Sequence, residues 1–289
     1  MPEPGLVPLS HVVATALAED LGVAGRPRDD RTAAATIPPG ATATAAFIPR
    51  TGGIVAGCAV VAEVYRQLDP DVEVAMKVTD GDAVTAGQRI AVVSGPAAAV
   101  LAGERTALNL LTHLSGIASS TRRFVDAVAA TGCIVRDTRK TLPGLRALQK
   151  AAVVAGGGHN HRMSLLDGLL VKDNHVAAAG GVTEATKAAL DAAAGLPVQI
   201  EVDSLEQVRD ALVAGAPSLL LDNFSPAELR AAVQHVRSTT AGVFLEASGG
   251  ITLQTAAEVA ATGVDAIAVG ALTHSAEALD IGLDVLLDA

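Results

Sequence analysis

The hydrophobic and polar positions of the chain follow two different rhythms, and the change falls near residue 100. In the first part, short apolar runs separated by Pro and Gly predict extended strands. These runs cover residues 41–49, 53–56, 72–78 and 90–94, with one helix predicted at 58–68. Helical spacing of apolar residues then predicts a helix at 104–119 and a second one at 121–130. The pattern indicates an α+β domain with a structural role, followed by helices that lead to a second domain.

From residue 134 onward, short apolar runs alternate with helical segments. The runs lie at 134–136, 169–171, 198–202, 219–221, 243–245 and 266–269, and the helices at 145–155, 183–194, 205–214, 226–237 and 252–261. Successive run ends at Glu201, Asp222, Glu246 and Gly270 are 21, 24 and 24 residues apart. This spacing fits one strand and one helix per repeat, which is typical of a β/α barrel. Because only six or seven strands can be counted, the sequence predicts an incomplete barrel.

Polar residues come directly after these apolar runs, where a β/α barrel carries its active site. The segments are Asp137–Lys140, Lys172–His175, Glu201–Asp203, Asp222–Asn223, Glu246–Gly250 and Gly270–Ala271. Ser248–Gly250 and Val269–Ala271 are glycine turns before helices, and backbone N–H groups in such turns hold phosphate. Glycine also serves plain turns, but two such turns after the last two strands favour a phosphate site.

Glu201 and Asp222 are carboxylates beside this predicted phosphate site, and they would repel phosphate unless something lay between. Mg²⁺ or sugar hydroxyls would fill that gap, and Mg²⁺ favours carboxylates together with substrate phosphates. The alternative is that each carboxylate caps the helix that follows it.

Positive charge is concentrated in the stretch from Arg136 to His175. The whole chain has 21 Lys and Arg against 31 Asp and Glu, whereas this stretch holds seven cations against three Asp. Arg139, Lys140, Arg162 and Lys172 lie at strand ends or in the GGGHNHR loop, and we expect them to hold a small polyanion. His161 would either donate a hydrogen bond to the same ligand or serve the structure. Arg146 and Lys150, on the intervening helix, are expected to be solvated surface.

Composition excludes several function classes. A net charge of −10 argues against nucleic acid and anionic membranes as partners. No long apolar run predicts a membrane span, and the first residues lack the pattern of a signal peptide. Two cysteines in apolar surroundings predict buried, unreactive thiols in a reduced, cytoplasmic protein. His159, His161 and His175 do not have zinc-site spacing, and no Walker A, GxSxG or GxGxxG motif is present.

The motifs DTRKT, GGGHNHRMSLLDGLLVKDNH, IEVDS, LLLDN, EASGGI and VDAIAVGALTH closely resemble the quinolinate phosphoribosyltransferase family. The resemblance spans nearly the whole chain and suggests an actinobacterial member. It implies an α/β fold, with an N-terminal α/β sandwich at 1–115, an incomplete six- to seven-stranded β/α barrel at 116–275, and a tail at about 276–289 that packs back on the first domain. The implied reaction joins quinolinate to phosphoribosyl pyrophosphate (PRPP), giving nicotinate mononucleotide, pyrophosphate and CO₂ in the de novo route to NAD.

The resemblance also implies roles for the strand-end residues. Arg139, His161, Arg162 and Lys172 would bind the quinolinate carboxylates, joined by Arg105 from the neighbouring subunit of a homodimer. Lys140 and Lys172 would also meet the pyrophosphate end of PRPP, and Thr138 would be a further substrate-binding residue. Glu201 and Asp222 would hold the ribose hydroxyls and Mg²⁺, and Lys140, Glu201 and Asp222 are the implied catalytic residues. The 5′-phosphate would lie in Ser248, Gly249, Gly250, Val269, Gly270 and Ala271.

Three alternatives stay open at this point. A related phosphoribosyltransferase could act on another acid, such as nicotinate. A non-catalytic sensor of phosphate ligands would need the glycine turns but not four carboxylate-binding cations. A sugar-phosphate lyase would need a Schiff-base lysine in an apolar pocket, and Lys172 beside so much positive charge is a poor candidate.

Overall fold

The computed structural model describes residues 7–23 and 25–286. The first six residues, on which the prediction of no signal peptide partly depends, and the last three residues of the tail lie outside this range. The chain divides into two compact units. The first contains residues 1–122, 141–157 and 272–289, and the second contains residues 123–140 and 158–271.

The first unit is built on a four-stranded antiparallel sheet of order β12-β1-β5-β3 and a two-stranded sheet of β2 and β4. Its strands are β1 (Thr42–Pro49), β2 (Gly53–Ile54), β3 (Glu73–Met76), β4 (Ala83–Val84), β5 (Ala91–Pro96) and β12 (Ile281–Val285). Its helices are α1 (Leu9–Leu21), α2 (Arg31–Thr36), α3 (Cys58–Leu68) and α5 (Arg146–Ala155), with a short 3₁₀ turn at Pro27–Asp29. Strand β12 pairs with β1, so strands that are far apart in the sequence lie side by side in this sheet.

The two helices predicted at 104–119 and 121–130 are one continuous helix, α4 (Ala97–Val128), and the predicted break is wrong. The polar run Ser119-Ser120-Thr121 lies at the predicted break. Within the helix, however, the Ser119 hydroxyl bonds the backbone of Ile54, and the Thr121 hydroxyl donates to the carbonyl of Ile117 at 2.8 Å. Because these hydroxyls find partners without disturbing the helix backbone, no residue in the run ends it.

The second unit is a six-stranded, all-parallel sheet of order β6-β11-β10-β9-β8-β7, which confirms the predicted incomplete barrel. Its strands are β6 (Ile134–Arg136), β7 (Leu169–Val171), β8 (Val198–Val202), β9 (Ser218–Asp222), β10 (Phe244–Ser248) and β11 (Ala266–Ala268). Its helices are α6 (Asp173–Ala179), α7 (Val182–Ala192), α8 (Leu205–Val213), α9 (Pro226–Thr239) and α10 (Leu253–Ala260); α11 (Ala271–His274) begins at its end. An isolated parallel bridge from Arg136 to His159 places the segment before Arg162 along the free edge of β6.

Aliphatic side chains fill both faces of this parallel sheet, as they must where helices cover it. In β9 the consecutive residues Leu219, Leu220 and Leu221 are all buried, and in β8 Ile200 and Val202 are buried. The start of α9 shows why the helices begin where they do. The Ser225 hydroxyl accepts from the Glu228 amide, the Glu228 carboxylate accepts from the Ser225 amide, and Pro226 occupies the first turn.

The prediction that Lys150 is solvated surface is wrong, because its side chain is fully buried. Residues 149, 150, 152 and 153 form the buried face of α5, so position on the helix decides exposure where residue type does not. The neighbouring Gln149 is also fully buried, and its amide connects three elements of the first unit. Its Nε2 lies 3.0 Å from the carbonyl of Thr273 and 2.8 Å from Nε2 of His113, and its Oε1 accepts from the Leu142 amide at 2.9 Å.

Both cysteines are free thiols, with Cys133 buried and Cys58 half-buried. Burial raises the pKa of each thiol to about 12, so neither is a reactive thiolate near neutral pH. Across residues 7–23 and 25–286, no helix is long and apolar enough to cross a membrane.

Candidate functional site

The C-terminal ends of the six parallel strands carry the residues predicted to form the site. Since all six strands run in the same direction, their following loops lie at one edge of the sheet. In sheet order these loops carry the sequence-predicted residues as follows: Thr138–Lys140, Val269–Ala271, Ser248–Gly250, Asp222, Glu201 and Lys172. The second unit thus brings together every predicted site residue except Arg105.

Two guanidinium groups at this edge lie close to each other. Burial and the positive charge of Arg139 lower the pKa of Arg162, and Asp167 and Glu201 only partly counter that effect. Arg139 Nε is buried and has no hydrogen-bond partner among the described residues. Arg162 Nη1 donates to the carbonyl of Gly168 at 3.0 Å, and neither arginine forms a salt bridge in the described part of the chain. Two partly buried cations that repel each other create a site that an anion stabilises.

The other cations of the site are arranged differently. Lys172 Nζ lies 2.5 Å from Glu201 Oε2, and the lysine is about half-exposed while the carboxylate is mostly buried. The Lys140 side chain is exposed, and its backbone amide donates to the Thr138 hydroxyl at 3.0 Å, which folds the DTRKT segment into a turn. The Lys172–Glu201 ion pair is accessible to solvent and therefore weak. Lys172 can leave Glu201 and contact a ligand instead.

Glu201 and Asp222 line a single cavity of about 370 Å³. Asp222 Oδ2 accepts from Nδ2 of Asn223 at 2.7 Å, and Asn223 has a left-handed backbone with φ of 59°. Neither Glu201 nor Asp222 caps the following helix: Ser204 caps α8 and Ser225 caps α9. With the caps already supplied, both carboxylates are available for ligand contacts.

The glycine turn after β10 packs closely against the turn after β9. The Asn223 amide donates to the carbonyl of Ser248 at 2.8 Å. Gly249 has φ of +96°, and a Cβ there would lie 2.1 Å from Asn223 Oδ1. Gly249 therefore has to be glycine for two independent reasons, backbone conformation and space. The second turn follows β11, where the Val269 amide donates to the carbonyl of Arg136 and α11 begins at Ala271.

A polar network that was not predicted from the sequence lies inside the barrel below this edge. Glu246 is fully buried, and its Oε2 accepts from Arg136 Nη1 at 2.9 Å and from Gln199 Nε2 at 2.8 Å. Gln199 Oε1 lies 2.9 Å from Nε2 of His161. The available signal was Gln199 itself, an amide in the otherwise apolar first half of the run VQIEV.

Arg105 lies on α4 in the first unit, and its side chain is exposed. No group of three or more His, Cys, Asp or Glu side chains suited to a metal ion occurs in the described residues. Glu201 and Asp222 supply hard oxygen ligands without thiolate or imidazole. Such a pair fits Mg²⁺ that arrives with substrate phosphates better than it fits a metal bound by protein alone.

Comparisons with known proteins agree with this arrangement. Residues 117–284 match the model of the quinolinate phosphoribosyl transferase C-terminal domain, and residues 30–115 match that of the N-terminal domain. The chain is 50% identical over 259 residues to the nicotinate-nucleotide pyrophosphorylase [carboxylating] of Mycobacterium leprae, covering 89% of this chain and 91% of that protein. It is 45% identical over 244 residues to a probable enzyme of the same name from Bacillus subtilis, covering 84% and 83%. The solved nicotinate-nucleotide pyrophosphorylase of Ehrlichia chaffeensis superposes with a TM-score of 0.90 at 36% identity, covering 99% and 100%.

Proposed function

The chain belongs to the quinolinate phosphoribosyltransferase family, and from this premise we infer that it transfers the phosphoribosyl group of PRPP to quinolinate with loss of CO₂. The products are nicotinate mononucleotide, pyrophosphate and CO₂, and the reaction is the de novo entry to NAD. The observation that carries the substrate assignment is the pair of neighbouring guanidinium groups on Arg139 and Arg162. Quinolinate has two adjacent carboxylates, which supply one negative charge for each guanidinium.

Binding of quinolinate would convert the unfavourable pair of cations into two ion pairs. Arg139 Nε lacks a partner, and Arg162 uses only one nitrogen on a backbone carbonyl, so both retain donors for a carboxylate. Lys172 lies beside this pair in the sequence motif, and we assign it to the same pocket. Both ring nitrogens of His161 already contact protein groups, so His161 would support the pocket through Arg162 and not through the ligand. A monocarboxylate would leave one guanidinium without a counter-charge, so we expect a preference for the dicarboxylate.

Ribosyl transfer then requires positioning and charge neutralisation rather than a protein nucleophile. Lys140 and Thr138 would meet the departing pyrophosphate, and Lys172 would leave Glu201 to join them. Glu201 and Asp222 would hold the ribose hydroxyls and place the sugar carbon against the quinolinate nitrogen. Positive charge on the ribosyl group in the transition state would be stabilised by these carboxylates, so Lys140, Glu201 and Asp222 are the proposed catalytic residues.

The glycine turns Ser248–Gly250 and Val269–Ala271 would bind the 5′-phosphate through backbone amides. Mg²⁺ would be held by Glu201 and Asp222, directly or through water, and it would neutralise the charge of the pyrophosphate. After transfer, the positively charged pyridinium nitrogen stabilises the carbanion left when the adjacent carboxylate departs as CO₂, and that carbon then takes up a proton from solvent. The protein's part in that step is to orient the carboxylate with Arg139 and Arg162.

We also propose a homodimer in which Arg105 completes the neighbouring site. The exposed side chain on α4 supports this, because an arginine without a role in its own unit is free to contact a ligand in another subunit. The two unpaired thiols and the absence of disulfides between them support a reducing, cytoplasmic location.

One assay tests the proposed reaction against its nearest competitor. The protein is incubated with PRPP, Mg²⁺ and either quinolinate or nicotinate, and pyrophosphate and CO₂ are measured. The proposal requires pyrophosphate and CO₂ in equal amounts with quinolinate, neither product without Mg²⁺, and no comparable turnover of nicotinate. Pyrophosphate release with nicotinate alone would assign the chain to a different substrate.

The dimer has a separate test. Arg105→Ala and Lys140→Ala subunits are each inactive, but mixing them should restore part of the activity, because some mixed sites contain both wild-type residues. The absence of recovery after confirmed subunit exchange would show that Arg105 does not act across subunits. Mixing each variant with itself provides the control.

A further inference from the structure

The buried network beneath the site forms an unbroken hydrogen-bonded chain from a carboxylate in the barrel core to the backbone of a substrate-binding residue. It runs from Glu246 through the Gln199 amide to the His161 ring and ends at the Arg162 amide. Glu246 is fully buried, and the side chain of His161 is only 12% exposed. Solvent therefore has little part in this chain of contacts.

The order of donors and acceptors along this chain is fixed by its two ends. At one end, a carboxylate can only accept, so Gln199 must present its Nε2 to Glu246 and its Oε1 to His161. At the other end, the Arg162 amide can only donate, and it lies 2.8 Å from His161 Nδ1, so Nδ1 must carry a lone pair. The proton of the neutral ring is then on Nε2, where it donates to Gln199 Oε1 at 2.9 Å.

We propose that Gln199 is a positioning residue that keeps the His161 imidazole neutral beside a buried carboxylate, so that Nδ1 can hold the Arg162 backbone in place. The distance from His161 Nε2 to Glu246 Oε2 is 3.7 Å, close enough for a direct ion pair if the ring were protonated. A protonated ring would carry a second N–H at Nδ1, facing the Arg162 N–H, and the contact that anchors Arg162 would be lost. The amide of Gln199 prevents this because it hydrogen-bonds both the ring and Glu246 Oε2 without carrying a charge. The other carboxylate oxygen, Glu246 Oε1, is buried and has no hydrogen-bond partner among the described residues.

The remaining contacts hold the two ends of this arrangement. Arg136 provides the counter-charge for Glu246, and its guanidinium carbon also lies 5.8 Å from the ring centre of Phe244. The backbone amide of His161 donates to Asp137 Oδ1 at 2.8 Å. This bond holds the backbone of His161 to the residue that follows β6. With both the His161 amide and the ring anchored, Arg162 starts from one defined position.

The inference rests on the proposed function only for its kinetic readout, since the protonation pattern of His161 can be measured without substrate. The first experiment uses wild-type protein labelled with ¹⁵N-histidine, and the His161 signals are identified by their loss in the His161→Gln variant. We expect the nitrogen pattern of a neutral ring protonated at Nε2. A ring protonated at Nδ1, or at both nitrogens, would overturn the proposal.

The second experiment replaces the amide. In Gln199→Glu a carboxylate next to His161 favours the doubly protonated ring, and in Gln199→Met both hydrogen bonds are removed at similar volume. For either variant we expect the quinolinate KM to rise about tenfold, equivalent to ~1.4 kcal/mol, while the PRPP KM changes by less than about twofold. The Gln199→Glu ring should also show the signals of an imidazolium.

The matched control is Gln88→Glu, the same chemical change in an exposed turn where the side chain only accepts a hydrogen bond from Thr85. It should leave both KM values unchanged. Quinolinate and PRPP KM values that rise equally in the Gln199 variants would indicate general damage to the barrel and would overturn a positioning role. Should wild-type protein fail to turn over quinolinate, the proposed function fails, while the nitrogen pattern still decides the state of His161.

Discussion

Arg136 is the last residue of β6 and Arg139 lies in the loop directly after it, yet the two side chains have opposite surroundings. Arg136 points into the barrel core, where Glu246 lies 2.9 Å away as its counter-charge. Arg139 lies at the site edge, where its Nε has no partner in the described structure and where its positive charge acts on Arg162. The first arginine is already neutralised by the protein. The second requires a ligand for neutralisation, and this difference separates a structural cation from a binding one.

The largest expected effect comes from removing a cation at the site edge. In Arg162→Ala we expect quinolinate binding to weaken by about 2–5 kcal/mol, because Arg139 alone cannot pair both carboxylates. Isothermal titration calorimetry with quinolinate measures this, and the thermal midpoint should stay close to that of the wild type.

The matched control for this substitution is Arg230→Ala, which removes an exposed arginine lying 3.9 Å from Glu258. Its quinolinate affinity should not change. Unchanged affinity in Arg162→Ala itself would mean that the unpaired guanidinium groups are not the quinolinate site.

The core pair should respond in stability rather than in binding. Glu246→Ala leaves Arg136 as a buried cation without a counter-charge, and we expect a loss of about 3–5 kcal/mol in the free energy of unfolding. Arg139→Ala should change that free energy by no more than about 0.5 kcal/mol, since its guanidinium forms no hydrogen bond or ion pair with the described residues. Urea denaturation measures both, and equal losses in the two variants would remove the distinction between them.

A smaller effect is expected at the glycine turn. Gly249→Ala forces a Cβ against Asn223, and we expect a rise of about tenfold in the PRPP KM. Gly242→Ala is the control, because it has a similar φ of +84° but nothing within 4 Å of the added carbon. Both variants should lose about 1 kcal/mol of stability from backbone strain. A PRPP KM that rises equally in both would assign the effect to strain alone.

The smallest effect concerns His113, the other imidazole that contacts a glutamine. Burial lowers the pKa of His113 below its usual 6.5. The unfolded chain therefore binds a proton more readily than the folded one, so stability should fall as pH drops from 6.5 towards the lower folded value, and flatten below it. His113→Asn should reduce this slope in urea titrations between pH 7 and 5. An unchanged slope would show that His113 is not its source.

Much of the second unit could be predicted because each strand and helix carries its own local signal. Apolar runs bounded by polar ends located five of the six parallel strands to within one residue, and the same boundaries pointed to the site. For β10 the predicted run ended at Leu245, three residues before the observed end at Ser248. The break near Ser119 was wrong because hydroxyl groups that interrupt a hydrophobic pattern need not interrupt a helix. Whether they do depends on partners such as Ile54, which is distant in sequence.

Burial of charged and polar residues was the part that the sequence could not predict. Lys150 looked like any exposed helical lysine, and only the packing of α5 determines that it is buried. Gln199 and Glu246 are 47 residues apart, so the contact between them follows from the order of β8, β9 and β10 in the sheet. The polar residues at the strand ends could be predicted from the sequence. The hydrogen-bonded network of Glu246, Gln199 and His161 beneath them could not, because it depends on tertiary structure.

The most direct test of the account compares quinolinate with nicotinate as ligands of the wild-type protein by calorimetry. Quinolinate carries one more carboxylate than nicotinate. Because Arg139 and Arg162 together can pair both carboxylates, quinolinate should bind about tenfold more tightly than nicotinate, a difference of at least ~1.4 kcal/mol in binding free energy. We predict that this preference disappears in Arg139→Ala. Equal affinities in the wild type, or a preference that persists without Arg139, would contradict it.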